Sequence, residues 1–385
     1  MKRTLVMSPG PTAIHPEVRR AMARKATNPD LDPAFFDFAE GLAQDFRKLF
    51  ATEGEVFLLG GEGILGLEAA VLSFVKPGDR VLCLSNGIYG RGFGDFVAMA
   101  GGQPVYFEGD PRRGLEPQAL EAFLEADDDF QAATMVHCET PSGITNPVRE
   151  LGALLKKRGI FTITDSVSAL GGEALAQDDW GLDVVLGGSQ KCLSAPPGIS
   201  LVSLGKRALG ILEERREPIP SYYANLKLWL GWRQRQEFPY TQPDSLLFAL
   251  RAALDRHLSQ EDPQGRHQIL AEGVRQALLR GGLELYPQNA WANTVTTFLL
   301  PPGVSGTDLH QRLLREEGLL LGGGWGELRD RVLRIGHMGE NAGRKPLIKA
   351  FRAMDRILPR QGVPLQGSLE GHFTDAMRKK GDIRL

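Results

Sequence analysis

Short apolar runs alternate with longer amphipathic stretches through the first half of this chain. The runs that predict strands are EVFLL, RVLCLS, QPVYF, ATMVHC, IFTITD, VVLGG and ISLVSL. Helical patterns such as GILGLEAAVLSFV, PQALEAFLEAD and VRELGALLKKRG lie between several of them. Because strand–helix–strand crossovers are right-handed and cover a sheet with helices, this alternation predicts an α/β fold whose sheet is mainly parallel and covered on both faces.

The pattern changes after about residue 250. Two long helical segments, SLLFALRAALDRHLSQ and GRHQILAEGVRQALLRGG, are followed by the strand candidates TVTTFLL and RVLRIG. A length of 385 residues also exceeds what one typical core supports. We therefore expect a large domain over residues 1–255 and a smaller α+β domain over residues 256–385.

Composition and charge exclude several classes of partner. The net charge of −2 provides no attraction toward nucleic acid or anionic membranes. The three cysteines are scattered, and the first apolar stretch, TLVM, is too short for a signal peptide. Scattered cysteines fit a reducing compartment. The histidines lack metal-ligand spacing. We expect a cytoplasmic protein with no metal, nucleic-acid or membrane partner.

A glycine-rich turn follows the first predicted strand of the large domain. Gly61, Gly63 and Gly66 form a G-x-G-x-x-G pattern that leads into a helix. A dinucleotide site would need an acidic residue at the end of the next strand, but that strand ends at Ser85. The turn therefore favours a helix N-terminus that binds another anion over a dinucleotide site. A tight turn without a ligand is the alternative.

Two charged residues follow buried strands further along the chain. Asp165 ends the run IFTITD, where the alternative role is a helix N-cap. Lys191 follows VVLGG, where the alternative is a surface loop. The carboxyl ends of parallel strands meet at one edge of a sheet, so both residues should lie near the glycine turn. An anion cradle, a carboxylate and a nucleophilic lysine are what pyridoxal 5′-phosphate (PLP) requires.

The segment TDSVSALGG…GGSQKCLSAPPG closely resembles the class V aminotransferases of PLP fold type I. Within that family the chain is most similar to the alanine–glyoxylate and serine–pyruvate aminotransferases. The segments SPGPTAIHPEV, SNGIYGRGF, VHCETPSGITNPV and VLRIGHMG extend the similarity over nearly the whole chain. The resemblance implies a large PLP-binding domain, a smaller C-terminal domain and a homodimer with shared active sites.

The resemblance also assigns roles to individual residues. It implies that Lys191 attaches to the cofactor and moves the substrate proton, that Asp165 pairs with the pyridine nitrogen, and that Arg334 binds the substrate carboxylate. The remaining cofactor-binding positions that it implies are Gly61, Glu62, Gly63, Ile64, Tyr89, Thr140, Val167, Gln190, Tyr240 and Thr241.

Some of these positions carry more specific expectations. Tyr89 stands where the family has an aromatic residue that stacks on the cofactor ring. Thr241 stands where the family has a threonine that reaches the phosphate of the cofactor in the neighbouring subunit. Glu62 is a departure, because relatives often have serine at this position. A side-chain carboxylate would repel a phosphate, so we expect the backbone N–H of Glu62 to contact the cofactor.

The implied reaction moves an amino group from a small L-amino acid, alanine or serine, to glyoxylate or pyruvate by a ping-pong mechanism. The alternatives are transamination of a ureido or phosphono amino acid, a lyase or desulfurase reaction, and a catalytically silent subunit. Cys192 directly follows Lys191 and does not suit a desulfurase, whose cysteine lies on a mobile loop.

Overall fold

The computed structural model describes residues 4–378. Its strands are β1 Leu5–Val6, β2 Glu55–Gly60, β3 Arg80–Ser85, β4 Gln103–Glu108, β5 Ala132–Val136, β6 Cys138–Glu139, β7 Ile144–Thr145, β8 Phe161–Asp165, β9 Val184–Gly188, β10 Ile199–Leu204, β11 Val295–Leu299, β12 Leu319–Leu320, β13 Gly322–Gly323 and β14 Val332–Gly336.

The α-helices are α1 Pro16–Ala21, α2 Pro33–Phe50, α3 Gly63–Phe74, α4 Ile88–Met99, α5 Pro117–Ala126, α6 Val148–Lys157, α7 Gln177–Trp180, α8 Lys206–Glu214, α9 Trp232–Arg235, α10 Asp244–Leu258, α11 Pro263–Arg280, α12 Gly306–Arg312, α13 Arg344–Ile357 and α14 Leu369–Arg378. Short 3-10 turns span Leu226–Trp229, Gly326–Leu328, Gly339–Asn341 and Pro359–Gln361, and a π-helical turn spans Leu313–Glu317.

A seven-stranded sheet forms the centre of the larger part, with the strand order β2-β10-β9-β8-β5-β3-β4. The neighbours β9–β8, β8–β5, β5–β3 and β3–β4 are parallel, whereas β10 runs antiparallel to both β9 and β2. The prediction of a mainly parallel sheet is therefore confirmed. Since two antiparallel steps separate them, β2 and β9 point in the same direction, and their carboxyl ends lie at one edge.

Both faces of this sheet are covered, which explains why its inner strands β5, β8, β9 and β10 are buried along their whole length. Successive side chains of a strand point to opposite faces. Leu58 accordingly lies in a core cluster with residues of α2, α5, α6 and α10, while its neighbours Phe57 and Leu59 lie in a second cluster with α3, α4 and α8. The two cores hold the sheet rigid, so residues just beyond its strand ends have fixed positions.

The C-terminal part is built on an antiparallel sheet, β11-β14-β13, and a core of its own. That core consists of residues between Leu270 and Met377, together with Met7 from the N-terminal segment. The same segment supplies β1, which pairs in parallel with β12. The expected division at residues 255–256 falls inside α10 and stays a proposal. No helix among residues 4–378 is long and apolar enough to cross a membrane.

Buried histidines link the stability of the fold to pH. Burial lowers the pKa to about 4 for His137 and His257 and to about 3 for His267 and His337. The folded chain therefore keeps these rings neutral, while the unfolded chain binds protons below its ordinary histidine pKa of about 6.5. These four groups make the free energy of unfolding rise with pH up to about 6.5.

Four buried carboxyls oppose this trend. Burial raises the pKa of Asp165 to about 6 and that of Glu139 and Glu173 to about 7, and it also raises the pKa of Asp183. Folding then favours the protonated form of these carboxyls, so their contribution to the free energy of unfolding falls as the pH rises toward their pKa values in the folded chain. All four histidine shifts act over the whole interval from about pH 5 to about pH 6.5, whereas Asp165 titrates within it. We therefore expect urea unfolding of the cofactor-free chain to give a larger free energy at about pH 6.5 than at about pH 5. A maximum at the lower pH would contradict this balance.

Candidate functional site

Lys191 lies just beyond β9, at the edge where the predicted site should be. Its Nζ donates a hydrogen bond to the backbone oxygen of Pro9, at 2.8 Å. Gly10 has a φ of +95°, and a Cβ there would lie 2.4 Å from Lys191 Cδ, so this turn requires glycine. Burial, with a smaller contribution from Arg334, lowers the pKa of Lys191. These surroundings favour the neutral, nucleophilic amine.

Asp165 ends β8 and is buried, with 7% of its surface exposed. Its Oδ1 accepts a hydrogen bond from the backbone N–H of Val167, at 2.8 Å. No helix in the described chain begins at this residue, so it caps a turn rather than a helix. Burial raises the pKa of Asp165 to about 6, opposed by the Val167 hydrogen bond and by Lys191. A ligand that brings a positive charge to Asp165 would offset the cost of burying its carboxylate.

Glu62 and the glycine turn meet at the N-terminus of α3. A Cβ on Gly63 would lie 3.1 Å from two methyl groups of Val167, so the turn packs closely against the segment that follows Asp165. The side chain of Glu62 caps the helix: Oε1 accepts from the N–H of Ile64 at 3.2 Å. Its Oε2 accepts from Nε2 of Gln190 at 3.1 Å. Both donors belong to residues that the resemblance implies as cofactor-binding, and the helix N-terminus is where the sequence predicts an anion.

Glu139 is a site residue that the sequence reasoning did not identify. It is fully buried, and its carboxylate accepts from the backbone N–H groups of Tyr89 and Gly90, at 3.3 and 2.6 Å. These groups belong to the first turn of α4, so Glu139 fixes the helix start that carries the Tyr89 ring. Burial raises the pKa of Glu139 to about 7 despite these hydrogen bonds. An acid in the segment VHCETPSG, between a buried strand and a Pro-Ser-Gly turn, was the available signal.

Arg334 connects β14 of the C-terminal part to the same pocket. Its Nε donates to the backbone oxygen of Gly323 at 2.8 Å, and Nη1 donates to that of Thr140 at 3.3 Å. The hydroxyl of Thr140 lies 2.5 Å from that of Ser168. Burial lowers the pKa of Arg334 to about 10. A buried guanidinium bonded only to neutral oxygens among the described residues has an uncompensated positive charge, which suits a carboxylate ligand.

Tyr240 and Thr241 form no hydrogen bond to this cluster within residues 4–378, although the Tyr240 ring lies near Gly60, directly before the glycine turn. The Tyr240 ring stacks on Tyr223, with 4.3 Å between centroids. Thr241 is exposed, and its hydroxyl donates to Asp30 Oδ2 at 2.7 Å. Neither residue hydrogen-bonds to Lys191 or to another predicted site residue within residues 4–378. Their assigned contact with a neighbouring subunit stays a prediction.

Other reactive residue types near the site have structural partners. His337 lies 2.8 Å from the hydroxyl of Thr296 through Nε2 and 3.1 Å from the backbone oxygen of Asn293 through Nδ1. Cys192 is a buried free thiol 3.7 Å from the backbone oxygen of Ser168, and burial raises its pKa. Within residues 4–378, no group of three or more histidine, cysteine, aspartate or glutamate side chains could hold a metal ion.

Comparison with known proteins finds similar aminotransferases. Residues 35–217 match the family described as aminotransferase class-V. An uncharacterized aminotransferase of Methanocaldococcus jannaschii is 31% identical over 95% of both chains. Serine–glyoxylate aminotransferase of Arabidopsis thaliana is 31% identical over 93% of this chain and 90% of its own. The crystal structure of pyridoxamine–pyruvate aminotransferase from Mesorhizobium loti superposes with a TM-score of 0.93 at 30% identity, covering 98% of this chain and 97% of its own.

Proposed function

Because the chain belongs to the class V aminotransferases, we propose that it moves an amino group from alanine or serine to glyoxylate or pyruvate. The observation that carries this proposal is that Lys191 is buried close enough to both Asp165 and Arg334 for their charges to act on its amine. The amine would attach to the cofactor and move the proton, the buried carboxylate would pair with the ring nitrogen, and the buried guanidinium would bind the substrate carboxylate. The family and its fold imply PLP as the cofactor.

The residues present fit the pyridine ring and the aldehyde of PLP. Lys191 would hold the aldehyde, Asp165 the ring nitrogen, and Tyr89 and Val167 would line the ring. At the phosphate end, the N–H of Ile64 and the amide of Gln190 are suitable donors, but the side chain of Glu62 now occupies them. When bound, the cofactor supplies an electron sink for the bond that breaks at the substrate's α-carbon.

The chain's own residues would then perform three tasks. Arg334 binds the α-carboxylate of each substrate and so orients the α-carbon. In the first half-reaction the Lys191 amine takes a proton from the donor's α-carbon, and in the second it delivers a proton to the acceptor carbon, so one nitrogen acts as general base and as general acid. Asp165 keeps the ring nitrogen protonated. One carboxylate site used in turn by donor and acceptor supports ping-pong kinetics.

Replacing Arg334 with alanine is expected to raise KM for every carboxylate substrate by about 100-fold, because removing one partner of a buried charge pair costs about 3 kcal/mol or more. Arg329→Ala, at an exposed position five residues earlier, is the matched control. Steady-state kinetics with alanine, serine, glyoxylate and pyruvate measure the effect. An unchanged KM for all four would place the carboxylate site elsewhere.

A homodimer with shared sites is part of the proposal. Exposed apolar side chains lie close to the bonded pair Asp30 and Thr241: Leu31 follows Asp30, and Tyr223, next to the exposed Tyr222, stacks on Tyr240. Exposed apolar side chains that lie together are typical of protein–protein interfaces. We further propose a cytoplasmic location, which the three free, buried cysteines support. Sedimentation equilibrium tests the assembly, and a monomer at micromolar concentration would contradict it.

A panel of half-reactions tests the proposed reaction. The holoenzyme is mixed with one amino acid at a time, and conversion of the bound aldehyde to the amine form is followed by absorbance. Alanine and serine should convert it, and glyoxylate or pyruvate should reverse the change. Release of pyruvate from serine without an acceptor would indicate a lyase. A sulfur product from cysteine would indicate a desulfurase, and no conversion with any donor would indicate a silent subunit.

The pyridoxamine–pyruvate aminotransferase of Mesorhizobium loti suggests a second candidate function, in which unphosphorylated pyridoxamine is the amino donor. The position of Glu62 at the phosphate end favours it. Adding pyridoxamine and pyruvate to the cofactor-free chain and measuring alanine would test this reaction directly.

A further inference from the structure

An anion already occupies the N-terminus of α3. This 12-residue helix has the Glu62 side chain as its cap, and the Glu62 carboxylate uses the Ile64 N–H and the Gln190 amide as its donors. Among residues 4–378, no lysine or arginine forms an ion pair with Glu62. A phosphate dianion that entered this position would have to displace the carboxylate or lie beside it, where like charges repel.

A second observation concerns the amide of Gln190. Only 5% of this residue is exposed, and its Nε2 donates to Glu62. Its Oε1 is buried and has no hydrogen-bond partner among the described residues. A buried acceptor without a donor is costly. Since the same amide group donates to Glu62, this second acceptor lies next to the Glu62 carboxylate.

Two acceptors call for a ligand group that donates. A phosphate dianion only accepts hydrogen bonds, so it cannot satisfy either acceptor. The hydroxymethyl group of an unphosphorylated pyridoxal or pyridoxamine carries an O–H that can donate to Glu62 or to Gln190 Oε1. The groups that hold the ring, Lys191 and Asp165, are common to both forms of the ligand.

We propose, on the basis of the transaminase function above, that Glu62 is the specificity-determining residue that selects unphosphorylated pyridoxal and pyridoxamine over their 5′-phosphates. Without a phosphate anchor, such a ligand exchanges with solvent and behaves as a substrate. In the net reaction, pyridoxamine and a 2-oxo acid become pyridoxal and an amino acid. The methylene carbon of pyridoxamine is oxidised: it loses its amine and one C–H bond and becomes C=O. The acceptor carbon is reduced: it exchanges its oxygen for the amine and gains a C–H bond, with a proton from the Lys191 amine and the two electrons of the C–H bond that broke. No outside oxidant is required.

The test is equilibrium binding to the cofactor-free chain. Pyridoxal and PLP are titrated separately into wild type, Glu62→Ser, Glu62→Gln and the control Glu68→Gln, which removes a charge from the same helix. Absorbance of the lysine-bound aldehyde and quenching of protein fluorescence give each Kd without any turnover.

We expect wild type to bind pyridoxal at least as tightly as PLP. Glu62→Ser and Glu62→Gln should each shift the ratio of the two Kd values by about tenfold or more toward PLP, because each removes a charge-assisted hydrogen bond and a repulsion. Glu68→Gln should leave the ratio unchanged.

A wild type that prefers PLP, or a ratio that neither Glu62 variant shifts, would overturn the role of Glu62 and leave the proposed transaminase standing. Failure of both ligands to bind folded wild type would overturn the proposed function as well, so the two failures are distinguishable. Thermal unfolding of each variant checks that it is folded.

Discussion

The Lys191→Ala variant is expected to lose at least about 10³-fold in the rate of either half-reaction, because one amine supplies both the attachment and the proton transfer. No other amine can replace it: among the described residues, Lys191 alone combines burial beside Asp165 and Arg334 with a fixed hydrogen bond to Pro9. The visible absorbance of the lysine-bound aldehyde should disappear at the same time. Stopped-flow absorbance with alanine and with pyruvate measures both losses.

The matched control is Lys206→Ala. Lys206 is exposed and pairs with Glu53 at the surface, so its removal should change neither the rate nor the absorbance. Adding methylamine to Lys191→Ala should restore part of the proton-transfer rate, since a small amine fits the space that the side chain leaves. A variant with more than about a tenth of the wild-type rate would exclude general acid–base catalysis by this residue.

Local sequence patterns were sufficient to predict the central sheet. EVFLL, RVLCLS and IFTITD became β2, β3 and β8 because continuous apolar runs of this length are stable only when both faces are buried. The edge of the sheet that carries the site followed from the same argument, since parallel strands bring their carboxyl ends together. The antiparallel direction of β10 was not predictable in this way, because strand direction depends on the route of the chain between strands.

The pocket's finer contacts depend on residues that are distant in the sequence. Glu139 reaches the start of α4 about 50 residues earlier, and Pro9 accepts from Lys191 over a separation of 182 residues. Such pairs are created by packing, and no local pattern encodes them. Glu62 was predicted only in part from the sequence. Its carboxylate was expected to repel a phosphate, and its backbone N–H was expected to contact the cofactor. The capping of α3 by the side chain itself was not predicted.

The Asp165→Asn variant is expected to lower kcat/KM by about 10²–10³-fold while the chain still folds. Asparagine retains an oxygen that can accept from the Val167 N–H, so the turn after β8 should persist. It removes the negative charge that keeps the ring nitrogen protonated, and the ring then withdraws electrons less strongly. Most of the loss should therefore appear in kcat, because substrates still bind through Arg334.

Asp179→Asn is the matched control, since Asp179 is exposed on α7 and remote from the sheet edge.

The burial of Asp165 also predicts how ligand binding depends on pH. Burial raises the pKa of Asp165 to about 6 in the ligand-free chain, whereas a protonated ring nitrogen would lower that pKa by stabilising the carboxylate. Ligand binding near pH 5 should therefore release protons from wild type, and isothermal titration in buffers of different ionisation enthalpy would detect it. Asp165→Asn should lose this release. A variant that keeps both the wild-type kcat and the proton release would show that another group protonates the ring nitrogen.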